Sequence, residues 1–430
     1  MTSTPSPAVR VRAVTTVVSV DGPLLRFADP AHPLAALRRG DGIVGIGEVW
    51  RGEFRGASRF ADAALAWRAI AAAADVVDPV HRAGSGLVAF GSFAFADASA
   101  SSSVLVVPET IVGRRDGVAW VTRASVVGDG ADAATSGGAA AGAGHKGAEL
   151  PPATEIGERP RATLAAATLS RDDFVATVGR AVERIRAGDV EKVVIARDAT
   201  ASIPADADRR AIVTELAEAY PDTLAFAVDG LIGASPETLV SVHAREASAR
   251  VLAGSTARGA DAAEDAAAAT RLATSQKDLD EHEFAVQSVL RALRPHVTAV
   301  TASEAPFTLK LPNLWHLATD VELELAEDSS GLDLVAALHP TAAVAGSPTD
   351  AALALIAELE PFDRGRYAGP VGWIDQDGDG EWVIALRCAR IDDDGMLVAH
   401  AGAGIVIDSD PVAELAETRM KFRPIADALR

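Results

Sequence analysis

Cysteine is all but missing from this chain of 430 residues. The single thiol, Cys388, excludes a disulfide within the chain and any zinc site built on cysteines. Basic residues are the minority, with 40 Lys and Arg against 60 Asp and Glu and a formal net charge of -20. That sign argues against a nucleic-acid partner, which needs a basic surface. An anionic small molecule would have to be held by local cations or a metal, since the overall field repels it. No apolar run reaches transmembrane length, so no membrane association is expected. The opening MTSTPSPAVRVRAV has no apolar core of a secretory signal. A soluble, cytoplasmic protein is expected. No solenoid-type repeat is visible either.

With 49% hydrophobic and 23% charged residues, the chain has ample material for a large core, in one large domain or two to three smaller ones. Residues 1–127 read as short β-branched runs bounded by Gly, Asp or Pro, with one helical stretch, FADAALAWRAIAAAADVV. Trp50, Trp67 and Trp120 in this part are expected in the core. Residues 128–160 are rich in Gly, Ala and Pro and read as a mobile loop or linker. His145 and Lys146 within it receive no role. Residues 161–430 alternate strands and helices without a regular βαβ series. They begin with an amphipathic helix whose N-cap is Ser170. An α+β architecture is predicted, with mainly antiparallel sheets packed against each other and helices outside. Residues 1–160 and 161–430 are expected to form one body.

Several side chains have the right chemistry for a site. Lys192 opens the strand KVVIAR, with Val194 and Ala196 on its own face by the period of two. Desolvated there, its neutral amine would be available as a base. Glu237, in GASPE, follows Pro236 at a strand end, and a carboxyl in a partly apolar pocket can stay protonated and act as an acid. Taken alone, each is better explained by an ordinary role, a solvated strand lysine and a helix-start or turn glutamate. Asp278 and Glu281 in KDLDEHE are spaced i, i+3, as are Glu414 and Glu417; Lys421 follows Glu417 at i, i+4. Arg387 is placed on an apolar strand, and Gly402 and Gly404 end the next one. LAGSTARG is read as a loop. Hard oxygen ligands, one cysteine and few histidines suit Mg²⁺ better than Zn²⁺. The EF-hand-like DQDGDGE at 375–381 has Leu386 where such a loop needs a bidentate Glu, and reads as a hairpin turn. Cys388 reads as a buried core thiol, and His339 as a loop residue with a local hydrogen bond.

Nine ordered segments between about residues 165 and 430 resemble the chorismate-utilising enzymes: EKVVIAR, GASPE, LAGSTARG, KDLDEHE, LWHLATDV, LHPTAAVAGSP, ELEPFDRGRYAGPVGW, EWVIALRCA and AGAGIVIDSDPVAELAETRMK. Within that family they are most similar to the isochorismate synthase branch. The resemblance implies chorismate as substrate and Mg²⁺ held by Glu281 and Glu417, with Glu414 nearby. It implies that Arg387 and Lys421, with backbone amides near Gly254, Gly402 and Gly404, hold the two substrate carboxylates. His316 and Tyr367 would line the ring, Lys192 would activate water for attack at C2, and Glu237 would protonate the departing C4 hydroxyl. Relatives that use ammonia usually lack that lysine, so no amidotransferase subunit is expected. A monomer or weak dimer is expected. Two alternatives stay open: a salicylate synthase, which goes on to eliminate pyruvate, and an inactive chorismate-binding relative. Ala342 departs from the commoner HPTPA pattern of the family. A role in menaquinone formation is favoured over one in siderophore formation.

Overall fold

The computed structural model describes residues 9–127, 149–259, 261–303, 305–310 and 314–430. Among them, two large sheets and eight α-helices make an α+β protein, the class expected from the sequence. The first sheet has 13 strands and the second ten. Every pairing is antiparallel except that of Val11–Val18 with Asp75–Val77. Both sheets mix early and late parts of the chain. Leu34–Arg38 pairs with Leu224–Val228 in the first sheet, and Val88–Ser92 pairs with Pro370–Asp375 in the second.

The strands of the first sheet read as continuous apolar runs because both of its faces are covered. In Leu224–Val228, Leu224, Phe226 and Val228 pack into the larger core, which includes Trp67, Phe90 and Trp382. Ala227 on the opposite face packs with Ile212 and Leu216 of the helix Arg210–Ala219. Trp67 and Trp120 are buried as expected, and Trp50 packs against the core at its edge.

Local signals in the sequence explain where several elements start. The Ser170 hydroxyl accepts a hydrogen bond from the Asp173 amide at 3.1 Å and caps the helix Arg171–Arg186. Asp410 does the same for Pro411–Ala428, accepting from Val412 and Ala413 at 3.0 and 2.8 Å. The Asp375–Gly380 segment is the expected hairpin turn between two strands of the second sheet. Cys388 is buried, and that burial pushes its thiol pKa up to about 12.

Three local expectations need correction. LAGSTA is no loop: it continues the strand Glu246–Ala257, with a register slip between Ala253 and Ser255 and Gly254 at φ +77°. A slip of that kind is a β-bulge, which a glycine with positive φ accommodates. Arg387 is not on a strand. It lies in the bend between Gly380–Ile384 of the second sheet and Cys388–Ile391 of the first, at φ 50°. The hydrogen bond of His339 is distant, from its Nε2 to the Phe95 carbonyl at 2.9 Å. The loop expected at 128–160 falls partly outside the described residues, together with His145 and Lys146. Residues 149–160 run without regular structure, and Arg210 anchors them through Thr154 Oγ1 (2.7 Å) and the Glu155 carbonyl (2.9 Å).

Candidate active site

Two of the places where the chain passes from one sheet to the other lie side by side, and each carries a candidate residue. One crossing runs from Leu231–Ser235 through Pro236 and Glu237 to Thr238–His243. The other contains Arg387. They are laced together. Ser235 Oγ donates to the Ile384 carbonyl at 2.6 Å and accepts from the Glu237 amide at 3.2 Å. The Ile384 amide donates to the Glu237 carbonyl at 3.0 Å, and the Ala234 amide to the Arg387 carbonyl at 3.3 Å. A carboxyl on such a hydrogen-bonded seam is held by backbone and has little freedom to move away.

Lys192 starts the strand Lys192–Ser202, which pairs along its length with Met396–Ile405. That register sets Val194 opposite Gly404 and Ala196 opposite Gly402. The glycines are needed for space. A Cβ on Gly404 would lie 3.1 Å from Lys192 Cε, and one on Gly402 would lie 3.3 Å from the Tyr367 hydroxyl oxygen. Tyr367 is buried and stacks on His400, with ring centroids 5.1 Å apart. Its burial raises the phenol to about 12, so it stays a neutral hydroxyl.

The electrostatics join these parts. Lys192 and Glu237 are each partly exposed, yet protein atoms surround their charged ends. Burial lowers the Lys192 pKa below the ordinary lysine range; Glu237 opposes that shift and Lys421 adds to it. Burial raises the Glu237 pKa, against the pull of Lys192, Arg387 and Lys421. Both groups therefore move toward their neutral forms. Burial, then the Lys192 charge, brings His316 down to about 4, so its ring is neutral, with Nδ1 3.4 Å from the Gly254 carbonyl. Burial also lowers the Arg387 pKa, while Tyr367, Glu237 and Glu417 act to raise it.

On the helix Pro411–Ala428, Lys421 Nζ donates to the Gly402 carbonyl at 2.7 Å and lies 2.6 Å from Glu417 Oε1. Glu414 is one turn earlier, and burial raises its pKa, with the neighbouring Glu417 charge adding to the rise. Glu281 is exposed on the helix Gln276–Leu293. That helix meets the site strands at its start, where Asp278 lies beside Gly254, and at His282. The His282 ring nitrogens sit 2.9 Å from the Ala253 carbonyl and 2.8 Å from Thr319 Oγ1. His282 is therefore a structural tie and offers no free nitrogen to a metal. Among the described residues no three His, Cys, Asp or Glu side chains converge tightly enough to hold a metal by themselves. The donor set nevertheless fits Mg²⁺, which takes one or two protein carboxylates and fills its shell with water and substrate oxygens. The crowded Glu414–Glu417 pair is of the kind that a divalent cation relieves.

The site therefore brings together Lys192, Glu237, Gly254, His316, Tyr367, Arg387, Gly402, Gly404, Glu417 and Lys421. Sequence reasoning gave no role to His400, which backs Tyr367, or to Glu360 and Arg364, which lie behind the Lys192 strand. Only the charged residues within ELEPFDRGR could have signalled the last two.

Comparison with known proteins identifies the family. A family model described as chorismate binding enzyme matches residues 35–430. The chain belongs to that family of chorismate-binding enzymes. A Mycobacterium tuberculosis protein provisionally named isochorismate synthase MenF is 41% identical over 288 residues, covering 64% of this chain and 77% of the relative. Isochorismate synthase DhbC of Bacillus subtilis is 38% identical over 270 residues, 60% of this chain and 68% of the relative. The menaquinone-specific isochorismate synthase MenF of Escherichia coli superposes with a TM-score of 0.73 over 100% of this chain and 97% of that one. At 22% identity, that last likeness speaks for the fold alone.

Proposed function

We propose that this chain is an isochorismate synthase, converting chorismate to isochorismate by adding water at C2 while the C4 hydroxyl departs. The observation that carries the reading is the pairing of Lys192 and Glu237 in one cleft, each moved by burial toward the neutral form the reaction requires. Neutral Lys192 takes a proton from water as its oxygen bonds to C2. Both ring double bonds shift, C1=C2 to C1=C6 and C5=C6 to C4=C5, and the C4–O bond breaks. Protonated Glu237 delivers its proton to that oxygen, so water leaves. One water is consumed and one released, and a proton returning from Lys192 to Glu237 through solvent resets the pair.

Arg387 and Lys421 supply the cations for the two substrate carboxylates, and the glycines at 254, 402 and 404 allow close backbone approach. His316 and Tyr367, both neutral, line the ring without competing for those carboxylates. Glu417 and Glu414, with Glu281, would hold Mg²⁺, which when bound neutralises charge on the substrate. Glu417 and Lys421 are paired with each other at 2.6 Å, so the metal ligand and the carboxylate-binding cation are neighbours in the site. Menaquinone formation is the pathway we favour, on the sequence around VLVVPETIVGRR and PVGW.

The test is product analysis of purified protein incubated with chorismate, with Mg²⁺ or with EDTA. Isochorismate formed only with Mg²⁺ is the expected result. Salicylate together with pyruvate would move the chain to the lyase branch, and absence of turnover by folded protein would withdraw the reading.

A further inference from the structure

The strand that carries Lys192 has one complete edge and one broken edge. Along Met396–Ile405 its pairing is continuous. On the other edge Lys192 and Val193 pair with Ser347 and Gly346, and Ala199 and Thr200 pair with Ala166 and Ala165. Between them, at residues 194–198, no strand is present among the described residues. A buried strand edge cannot leave its amides and carbonyls unmet.

The Ala345 carbonyl accepts from the Val194 amide at 2.9 Å and the Ala167 amide donates to the Asp198 carbonyl at 3.4 Å, and two charged side chains fill the middle of the gap. The Ala196 amide donates to Glu360 Oε1 at 2.7 Å, and Arg364 Nη2 donates to the Val194 carbonyl at 2.7 Å. The two also bind each other in a fork, Nη2 to Oε1 at 2.6 Å and Nε to Oε2 at 2.8 Å. Their side chains are 1% and 2% exposed. Arg364 also donates through Nη1 to the Val344 carbonyl at 2.9 Å, and its guanidinium carbon sits 4.5 Å from the centre of the Phe95 ring. The Arg364 carbonyl accepts from the Tyr367 amide at 3.1 Å. One ion pair thus fastens the Lys192 strand, the 339–347 segment and the turn that presents Tyr367.

An apolar strand or two neutral side chains could close such a gap, so the choice of a buried ion pair calls for a reason beyond stability. We propose that Glu360 and Arg364 are positioning residues for the reaction: their fork sets the height of the Lys192 strand against the Tyr367 turn, and so places the Lys192 amine relative to the ring. This rests on the proposed base role of Lys192. Arginine is required because its planar fork makes all of these bonds at once, whereas a lysine head cannot span Val194, Val344 and both glutamate oxygens.

The test is Arg364→Lys, which keeps the charge opposite Glu360. It is assayed as kcat per folded molecule, with the folded fraction measured by near-UV circular dichroism. We expect kcat to fall about 10- to 100-fold, with KM within about twofold. The rise of kcat/KM with pH, which reports the Lys192 proton, should be displaced. Should Arg364→Lys not fold, the neutral double variant Glu360→Gln with Arg364→Gln is assayed in the same way. A variant whose kcat per folded molecule and pH profile match the wild type would overturn the inference and leave the pair merely structural. Failure of the wild type to convert chorismate would instead remove the functional reading itself, so the two failures are distinct.

Discussion

An amine and a carboxyl that share a cleft would ordinarily titrate at 10.5 and 4.5. Burial moves Lys192 down and Glu237 up, and each opposes the other's shift without cancelling it. The base must be unprotonated and the acid protonated, so kcat/KM should rise with pH as Lys192 loses its proton and fall as Glu237 loses its own. Both titrations are predicted to be displaced from their ordinary values, that of Lys192 downward and that of Glu237 upward. Glu237→Gln should cut kcat by about 10²- to 10⁴-fold and abolish the fall at high pH while keeping the rise. A pH–rate profile of both proteins checks this, and a variant that still declines at high pH would remove Glu237 as the acid. The same shift has a stability sign. A carboxyl whose folded-state pKa is raised favours the fold at low pH, and that contribution is lost as pH climbs from the ordinary value through the raised one. On the proposed acid role, Glu237 is a place where the fold gives up stability at neutral pH for chemistry.

At the scale of elements, the site depends on facing strands that approach more closely than side chains normally permit. Gly404 is the example beside the amine-bearing side chain, since a methyl there would press on Lys192 Cε at 3.1 Å. Gly404→Ala is predicted to lower kcat about tenfold or more by displacing the amine. The far end of a lysine can yield, so the cost in stability should stay near about 1 kcal/mol. Steady-state kinetics beside urea unfolding separates the two effects; an unchanged kcat would mean that Lys192 has no need of this space. Much at this scale was legible beforehand. The Ser170 cap, the helix it starts, the strand KVVIAR and the hairpin at 375–381 all follow from local rules of capping, periodicity and turn chemistry. Arg387 was misplaced because its neighbours on both sides are apolar and strand-like, and nothing local marks the point where the chain leaves one sheet for the other. Gly254 was read as part of a loop because a bulge looks like a break in the pattern. The bonds of Glu360 and Arg364 to residues 196 and 194 could not be seen at all, since they depend on which edge of the sheet is left open.

At the scale of the whole molecule, the two sheets interleave early and late segments, so the cleft is lined by parts of the chain more than 200 residues apart, from Lys192 to Lys421. The composition argues against nucleic acid and leaves no disulfide within the chain. The arrangement of the site rested on nine ordered motifs taken together, since no single one of them was specific. The net charge of -20 has a functional corollary: the cations of the cleft work against the general field of the protein, and the substrate is bound by placement more than by attraction from afar. No helix among the described residues is long and apolar enough to cross a membrane. The central claim is that the hydroxyl of the product comes from water activated at Lys192. It is tested most directly by running the reaction in H₂¹⁸O with Mg²⁺ and taking the mass spectrum of the product at early times. One ¹⁸O atom, located in the C2 hydroxyl of isochorismate, is the predicted result. An unlabelled product would mean that the hydroxyl moves within the substrate, and neither Lys192 nor Glu237 could then hold the role assigned to it.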